Sequence, residues 1–199
     1  MRRTILRTAV SLLLLLTALS AGCQRPDDWL RLDGRSELRI ALPTGPLHLD
    51  PHLDAEEISN IFYHHLFDPL VFLDENLTVR PWLARSWSNP NPRTWLFNLR
   101  TDAVFQDGRT VTAADVAYSL ERIRQLGHSP KQTLLSSVRS IRAVSRGTVE
   151  IATHEPYAPL LGKLSQIMIV PADRYRSRSL DDTKRIPFGS GPYRLAARR

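Results

Sequence analysis

Apolar and polar positions follow two rhythms along this chain, and each stretch of one rhythm predicts an element. Between Thr94 and Arg100 the period is two. Trp95, Phe97 and Leu99 interleave with Leu96 and Asn98, which predicts a strand with one face more deeply buried. Val149 and Ile151 alternate with Glu150 in the same way, so residues 136–144 and 148–153 read as a hairpin-like pair around Arg146-Gly147. From Thr112 the period lengthens, and Val116, Leu120 and Ile123 fall on one helical face. Thr112 can cap that helix, and Asp115 at the third helical position suits the positive helix end. Between strand and helix, Asp107-Gly108 is a turn signal, because Gly tolerates positive φ and Asp can bond its own backbone. Upstream, residues 37–42 predict a first strand ended by Pro43-Thr44-Gly45-Pro46. Residues 55–67 predict a helix with Ile58, Ile61, Phe62 and His65 on one side, followed by a short strand and a turn at Asp74-Glu75-Asn76. Downstream come a short helix over 158–164, an apolar strand over 167–170 and a last strand over 193–197. No internal repeat appears.

The first residues set a compartment. Arg2, Arg3 and Arg7 precede an apolar run of eleven residues at 9–19. That is the pattern of a signal peptide and falls short of the ~20 residues a spanning helix needs. Cys23 is the chain's single cysteine, and Leu19-Ser20-Ala21-Gly22-Cys23 resembles a bacterial lipobox, although the leucine sits four places before the cysteine instead of three. A lone cysteine there has no disulfide partner, and lipidation would supply the anchoring signals that stable attachment needs. The expected organisation is a lipoprotein signal peptide over 1–22, a tether over 23–36 and a domain over 37–199. The expected location is the periplasm or cell envelope, with Cys23 anchored to a membrane. This also changes the charge. The full chain carries a formal +7, but residues 1–22 hold three arginines and no acid, leaving 24 basic against 20 acidic residues and +4 over 177 residues. A nucleic-acid reader would need a basic face interleaved with aromatics. In an exported protein Arg174, Arg176 and Arg178 read as solvated surface, and no nucleic-acid partner is expected.

Residues 81–123 carry the most informative string. Trp82, Trp87 and Trp95 punctuate it, then come a strand ending in Leu99-Arg100, Phe105-Gln106-Asp107-Gly108 and the capped helix. That order resembles the family 5 extracellular solute-binding proteins, the oligopeptide, dipeptide and nickel receptors of ABC importers. Their corresponding stretch reads P-x-L-A-x-S-W, a strand ending L-R, F-x-D-G and T-A-x-D-V. Leu47-His48-Leu49-Asp50-Pro51 is similar to the family's S-L-D-P-x segment, and Phe67-Asp68-Pro69-Leu70-Val71 to its aromatic-acid-x-Leu-Val element. Gly189-Ser190-Gly191-Pro192-Tyr193 is similar to its G-T-G-P-Y turn, with Ser keeping the hydroxyl of Thr. The resemblance implies a mixed α/β fold, a periplasmic-binding-protein-like first lobe with its inserted subdomain. Family members continue well beyond the turn, so it also implies a chain truncated before the second lobe. The implied activity is capture of peptides or similar small solutes for delivery to ABC permease and ATPase subunits. For ligand contact the resemblance points to Leu47, His48, Leu49 and Asp50, and to Gly189, Ser190, Gly191 and Tyr193. The 81–123 stretch itself marks scaffold.

Other chemistries find little in the sequence. His48 and His52 are four apart, but Pro51 between them disfavours the helix that would align them. His64 and His65 are adjacent and diverge on a helix, and nothing has the spacing of a structural zinc site. Gly189-Ser190-Gly191 is not a G-x-S-x-G elbow, and Asp50, Asp54, Glu56 and Glu57 read as solvated charge at a helix entry. No metal, cofactor or enzymatic activity is expected. A second reading is a shortened envelope lipoprotein that keeps one subdomain as a structural or interaction surface.

Overall fold

A computed structural model describes residues 38–196. The signal peptide, Cys23 and the tether expected above lie outside the described residues. From residue 41 onward the chain forms one compact unit. Its centre is an antiparallel sheet of four strands, β3 (Ala84–Asn91), β4 (Thr94–Leu99), β5 (Val138–Ser145) and β6 (Thr148–Thr153), in the order β3-β4-β6-β5. The period-two pattern decides its two faces. Phe97 pairs with Val149 and Trp95 with Ile151 on the inner face, while Leu96 pairs with Glu150 and Asn98 with Thr148 on the other. Phe97, Val149 and Ile151 are fully buried, each such side chain contributing about 1.5–3 kcal/mol relative to exposure. Helix α2 (Ala113–Gln125) lays Val116, Leu120 and Ile123 onto that face and closes the larger core cluster.

The start of α2 shows its cap. The Asp115 carboxylate accepts the Thr112 backbone N–H at 2.9 Å and the Thr112 hydroxyl at 2.6 Å. Arg109 adds two hydrogen bonds at 3.0 and 3.1 Å, and the Ala172 N–H a further one at 2.9 Å. Burial alone would raise the Asp115 pKa, but these donors hold it below the usual carboxylate range. Thr112→Ala removes one donor from this node and is expected to cost about 1 kcal/mol, read as a lower urea midpoint with unchanged slope. Gly108 adopts φ +86°, as the Asp107-Gly108 turn requires, and its N–H closes onto the Phe105 carbonyl at 2.9 Å.

A smaller cluster forms where α1 (Glu57–Leu66) meets residues 167–175. Its members are Tyr63, Leu66, Phe67, Met168, Val170 and Tyr175. A two-stranded ribbon, β1 (Val71–Leu73) with β2 (Val79–Pro81), packs Val71 and Val79 on the larger cluster. Short helices α3 (Leu160–Leu164), α4 (Ala172–Arg176) and α5 (Leu180–Thr183) complete the unit.

Several expectations change. Strand β3, unread in the sequence, carries Pro90 and mostly exposed polar residues, which an edge strand permits. The buried side of α1 is Ser59, Tyr63 and Leu66, while Ile61 is half exposed. The reason is that Ser59 and Tyr63 meet a polar cluster described below. Residues 38–42 and 193–196 are not strands. The apolar segment 167–170 is fully buried but forms only an isolated bridge, Pro69 to Met168. Its backbone finds partners in several elements: His52 bonds the Met168 carbonyl at 2.9 Å, the Ser119 hydroxyl accepts the Val170 N–H at 3.0 Å, and the Ile169 N–H donates to the Asp68 carbonyl at 2.9 Å.

Candidate functional site

Residues 47–54 turn sharply inward, because Pro51 excludes a helix and Asp50 and His52 both find partners in the core. The Asp50 side chain is fully buried and receives both Arg122 terminal nitrogens, at 3.0 and 2.6 Å. It also accepts the His52 N–H at 3.0 Å. Arg122 comes from α2, on the flank of the apolar stripe, and lies over the Tyr175 ring at 5.2 Å. Burial alone would raise the Asp50 pKa, but the Arg122 hydrogen bonds and charge keep the carboxyl below its usual range.

The geometry also fixes the state of His52. Arg122 places a nitrogen 2.8 Å from His52 Nδ1, and arginine can only donate, so Nδ1 accepts. The other ring nitrogen, Nε2, lies 2.9 Å from the Met168 carbonyl and must donate. The ring is therefore neutral and has no free lone pair for a metal or a proton. Burial is the main cause that pushes its pKa down from 6.5 to about 4. Arg122 pushes in the same direction, and Asp50 opposes. Between those two pH values the unfolded chain binds more protons than the folded one, so stability rises with pH across the window and is complete above 6.5. Acidification from pH 7 to pH 4 is expected to remove about 3 kcal/mol from this group alone. Urea titrations at the two pH values check it, and equal unfolding free energies would refute the assignment.

A second buried set adjoins the first. Asp54 accepts the Ser59 hydroxyl at 2.6 Å and the Glu56 N–H at 2.9 Å. Lys131, almost wholly buried, donates to Asn60 Oδ1 at 3.1 Å and to the Gln166 carbonyl at 3.0 Å. With no carboxylate in contact, burial pushes its pKa down to about 8. Asp50, Asp54, Arg122 and Lys131 together form a net-neutral buried cluster, and every one of its charged ends is hydrogen-bonded. It fastens the 47–54 loop. It does not present a reactive group.

The eight residues singled out for ligand contact fall in two places along α1. The Tyr63 hydroxyl donates to the His48 carbonyl at 2.8 Å, whereas the Gly191 and Tyr193 N–H groups donate to the Leu66 and His65 carbonyls, both at 3.0 Å. Leu47 is 66% exposed and His48 partly so, while Leu49 is in the core. Asp50, expected as a ligand contact, is buried in the core with its carboxylate on Arg122. Gly189 and Gly191 are also buried. A methyl group on Gly189 would lie 1.9 Å from the Leu66 carbonyl oxygen, and one on Gly191 2.5 Å from the Leu66 carbonyl carbon. They are glycines for close approach to α1. The Ser190 hydroxyl is buried without a hydrogen-bond partner. Tyr193, 36% exposed, sets its ring 5.8 Å from that of His65. Only Leu47, His48 and Tyr193 of the eight offer substantial side chain to solvent.

Among the described residues no group of three His, Cys, Asp or Glu is placed to hold a metal ion. His64 packs its edge on Phe72, and His65 Nδ1 donates to the Ile61 carbonyl at 2.8 Å. A groove of ≈ 660 Å³ lies along the outer side of α2, lined among others by Ala114, Ala117, Tyr118 and Arg176. Its lining holds no nucleophile paired with a base.

Comparison with known proteins gives this architecture a family. The family model described as bacterial extracellular solute-binding proteins, family 5 Middle, matches residues 78–199. The chain belongs to this family. The nickel-binding periplasmic protein of Escherichia coli K12 is 25% identical over 166 residues, covering 80% of this chain and 31% of the relative. The periplasmic oligopeptide-binding protein OppA of Haemophilus influenzae is 32% identical over 125 residues, 62% of this chain and 22% of the relative. Among solved structures, OppA of Burkholderia pseudomallei superimposes with TM-score 0.71 at 27% identity, over 79% of this chain and 35% of that one. NikA of Brucella suis in complex with Fe(III)-EDTA does so with TM-score 0.71 at 27% identity, over 80% and 33%. The chain thus spans about a third or less of the length of these relatives. The family 5 relatives are substrate-binding transport proteins, and the mixed α/β fold expected from the motifs stands on that membership. The periplasmic location expected from the N-terminus agrees with the relatives' own.

Proposed function

We propose that this protein is a substrate-binding lipoprotein of an ABC importer, held at the envelope by lipid on Cys23, which captures peptides or similar small solutes for a membrane permease. The family match over residues 78–199 is the observation that carries the reading. The described residues supply scaffold and one wall of a binding region, with Leu47, His48 and Tyr193 as the side chains available to a solute. The buried Asp50–Arg122 pair holds the 47–54 loop at that wall. The ligands for which the relatives are named, oligopeptides and nickel, set the solute classes to try first.

Two measurements test this. Deleting the gene is expected to abolish uptake of radiolabelled trialanine or of nickel with histidine, with recovery from a plasmid copy. Labelled palmitate is expected to enter the wild-type protein and to be absent from Cys23→Ala. Unchanged uptake of both solutes in the deletion strain would overturn the transport role. If lipid labelling survived that result, the protein would be an envelope lipoprotein of another kind.

A further inference from the structure

We propose that Gln106 is the positioning residue of a clasp that fixes the course of the chain from Gly189 to Tyr193, and with it the placement of the Tyr193 ring. Three segments distant in sequence meet at this side chain: the end of α1, the Phe105-Gln106-Asp107-Gly108 turn, and the Gly189–Tyr193 turn. The Gln106 N–H donates to the Gly189 carbonyl at 2.9 Å. Its side-chain nitrogen, Nε2, faces the carbonyls of Leu66 at 3.2 Å, Gly191 at 3.3 Å and Tyr193. Three carbonyl oxygens around one amide group settle its orientation, since the amide oxygen turned to the same place would meet only acceptors. Two hydrogens thereby serve three acceptors.

The segment they hold has no other regular support. Residues 189–196 belong to no strand, and besides Gln106 the turn is tied by the Gly191 and Tyr193 N–H groups to the last carbonyls of α1. Those carbonyls, Leu66 and His65, are among the four at a helix end that lack intrahelical partners. The clasp therefore satisfies the end of α1 and orders the turn in a single set of bonds. Gly189 and Gly191 allow it, because only a missing side chain lets the turn lie directly on the Leu66 peptide. The result is an ordered, half-exposed Tyr193 ring beside His65. This role follows from the geometry and holds whether or not the ring meets a solute.

The clasp is local, so its loss should open this turn without opening the core. Amide hydrogen exchange in the full chain reads this directly. In Gln106→Ala and in the near-isosteric Gln106→Glu, the Gly191 and Tyr193 amides are expected to exchange at least tenfold faster. In Gln106→Glu a carboxylate faces three carbonyl oxygens. The β4 and α2 amides are expected to keep wild-type rates in both variants. Wild-type exchange at Gly191 and Tyr193 in either variant would overturn the proposal. So would an equal acceleration across β4 and α2, since that would make Gln106 a general stabiliser and not the holder of this turn.

Discussion

Replacing Arg122 with alanine is expected to lower the unfolding free energy by about 3–5 kcal/mol. The Asp50 carboxylate is fully buried and its two oxygens lie 3.0 and 2.6 Å from the Arg122 guanidinium. Removing the cation leaves an uncompensated charge in the core, and it also strips His52 Nδ1 of its donor. Domains of this size are stable by about 5–15 kcal/mol, so the loss is a large share of the whole. Equilibrium urea unfolding followed by tryptophan fluorescence measures it. A diagnostic companion is Arg122→Met with Asp50→Leu, which removes both charges and keeps the volume. That double variant is expected to recover most of the stability, because a buried pair replaced as a pair is often neutral or stabilising. If Arg122→Ala fell within 1 kcal/mol of wild type, the pair would not be the anchor of the 47–54 loop.

Gly189→Ala is expected to cost about 3 kcal/mol or more, at the upper end of overpacking effects. The added methyl would sit 1.9 Å from the Leu66 carbonyl oxygen, 2.6 Å from a Phe67 ring carbon and 2.8 Å from the Leu66 carbonyl carbon. Two of these are main-chain atoms at the end of α1, which cannot yield without breaking the Gly191 and Tyr193 bonds to it. Gly162→Ala is the control. Nothing lies within 4 Å of a methyl there, and Gly162 lies inside α3, so alanine should stabilise by about 0.5–1 kcal/mol. Thermal melts of the two variants should therefore move in opposite directions. A Gly189→Ala protein that melts like wild type would show that the turn does not pack on α1 as described.

Much of the fold is readable in the chain, for local reasons. Trp95, Phe97 and Leu99 declare β4 by alternation, and Thr112 with Asp115 declares the start of α2. Asp107-Gly108 declares a turn that the structure realises with Gly108 at φ +86°. Each signal is contained within a few residues. The motif order over 81–123 likewise gave the family that the comparisons establish. Where the structure departs from these local signals, the cause lies across the chain. Residues 167–170 look like a strand because they are apolar and mostly β-branched, yet their partners include His52, Ser119 and Asp68 from other parts of the chain. The buried face of α1 departs from its apolar spacing because Ser59 and Tyr63, polar in sequence, point inward to Asp54 and the His48 carbonyl. Arg122 gave one faint signal, a cation on the flank of the apolar stripe of α2.

The sequence by itself determined the family, the rhythm of the elements, and which residues could turn or cap. These depend on side-chain spacing and backbone preference, which are properties of short segments. Only the tertiary structure decided what the motif residues do. Asp50 became the buried partner of a guanidinium 72 positions away, and Gly189 and Gly191 became the surface on which α1 ends. Gln106, an unremarked letter in an F-x-D-G string, became the tie between them. Burial of a charge or close approach of two backbones is a relation between distant segments, and its free energy exists only once the chain has brought them together.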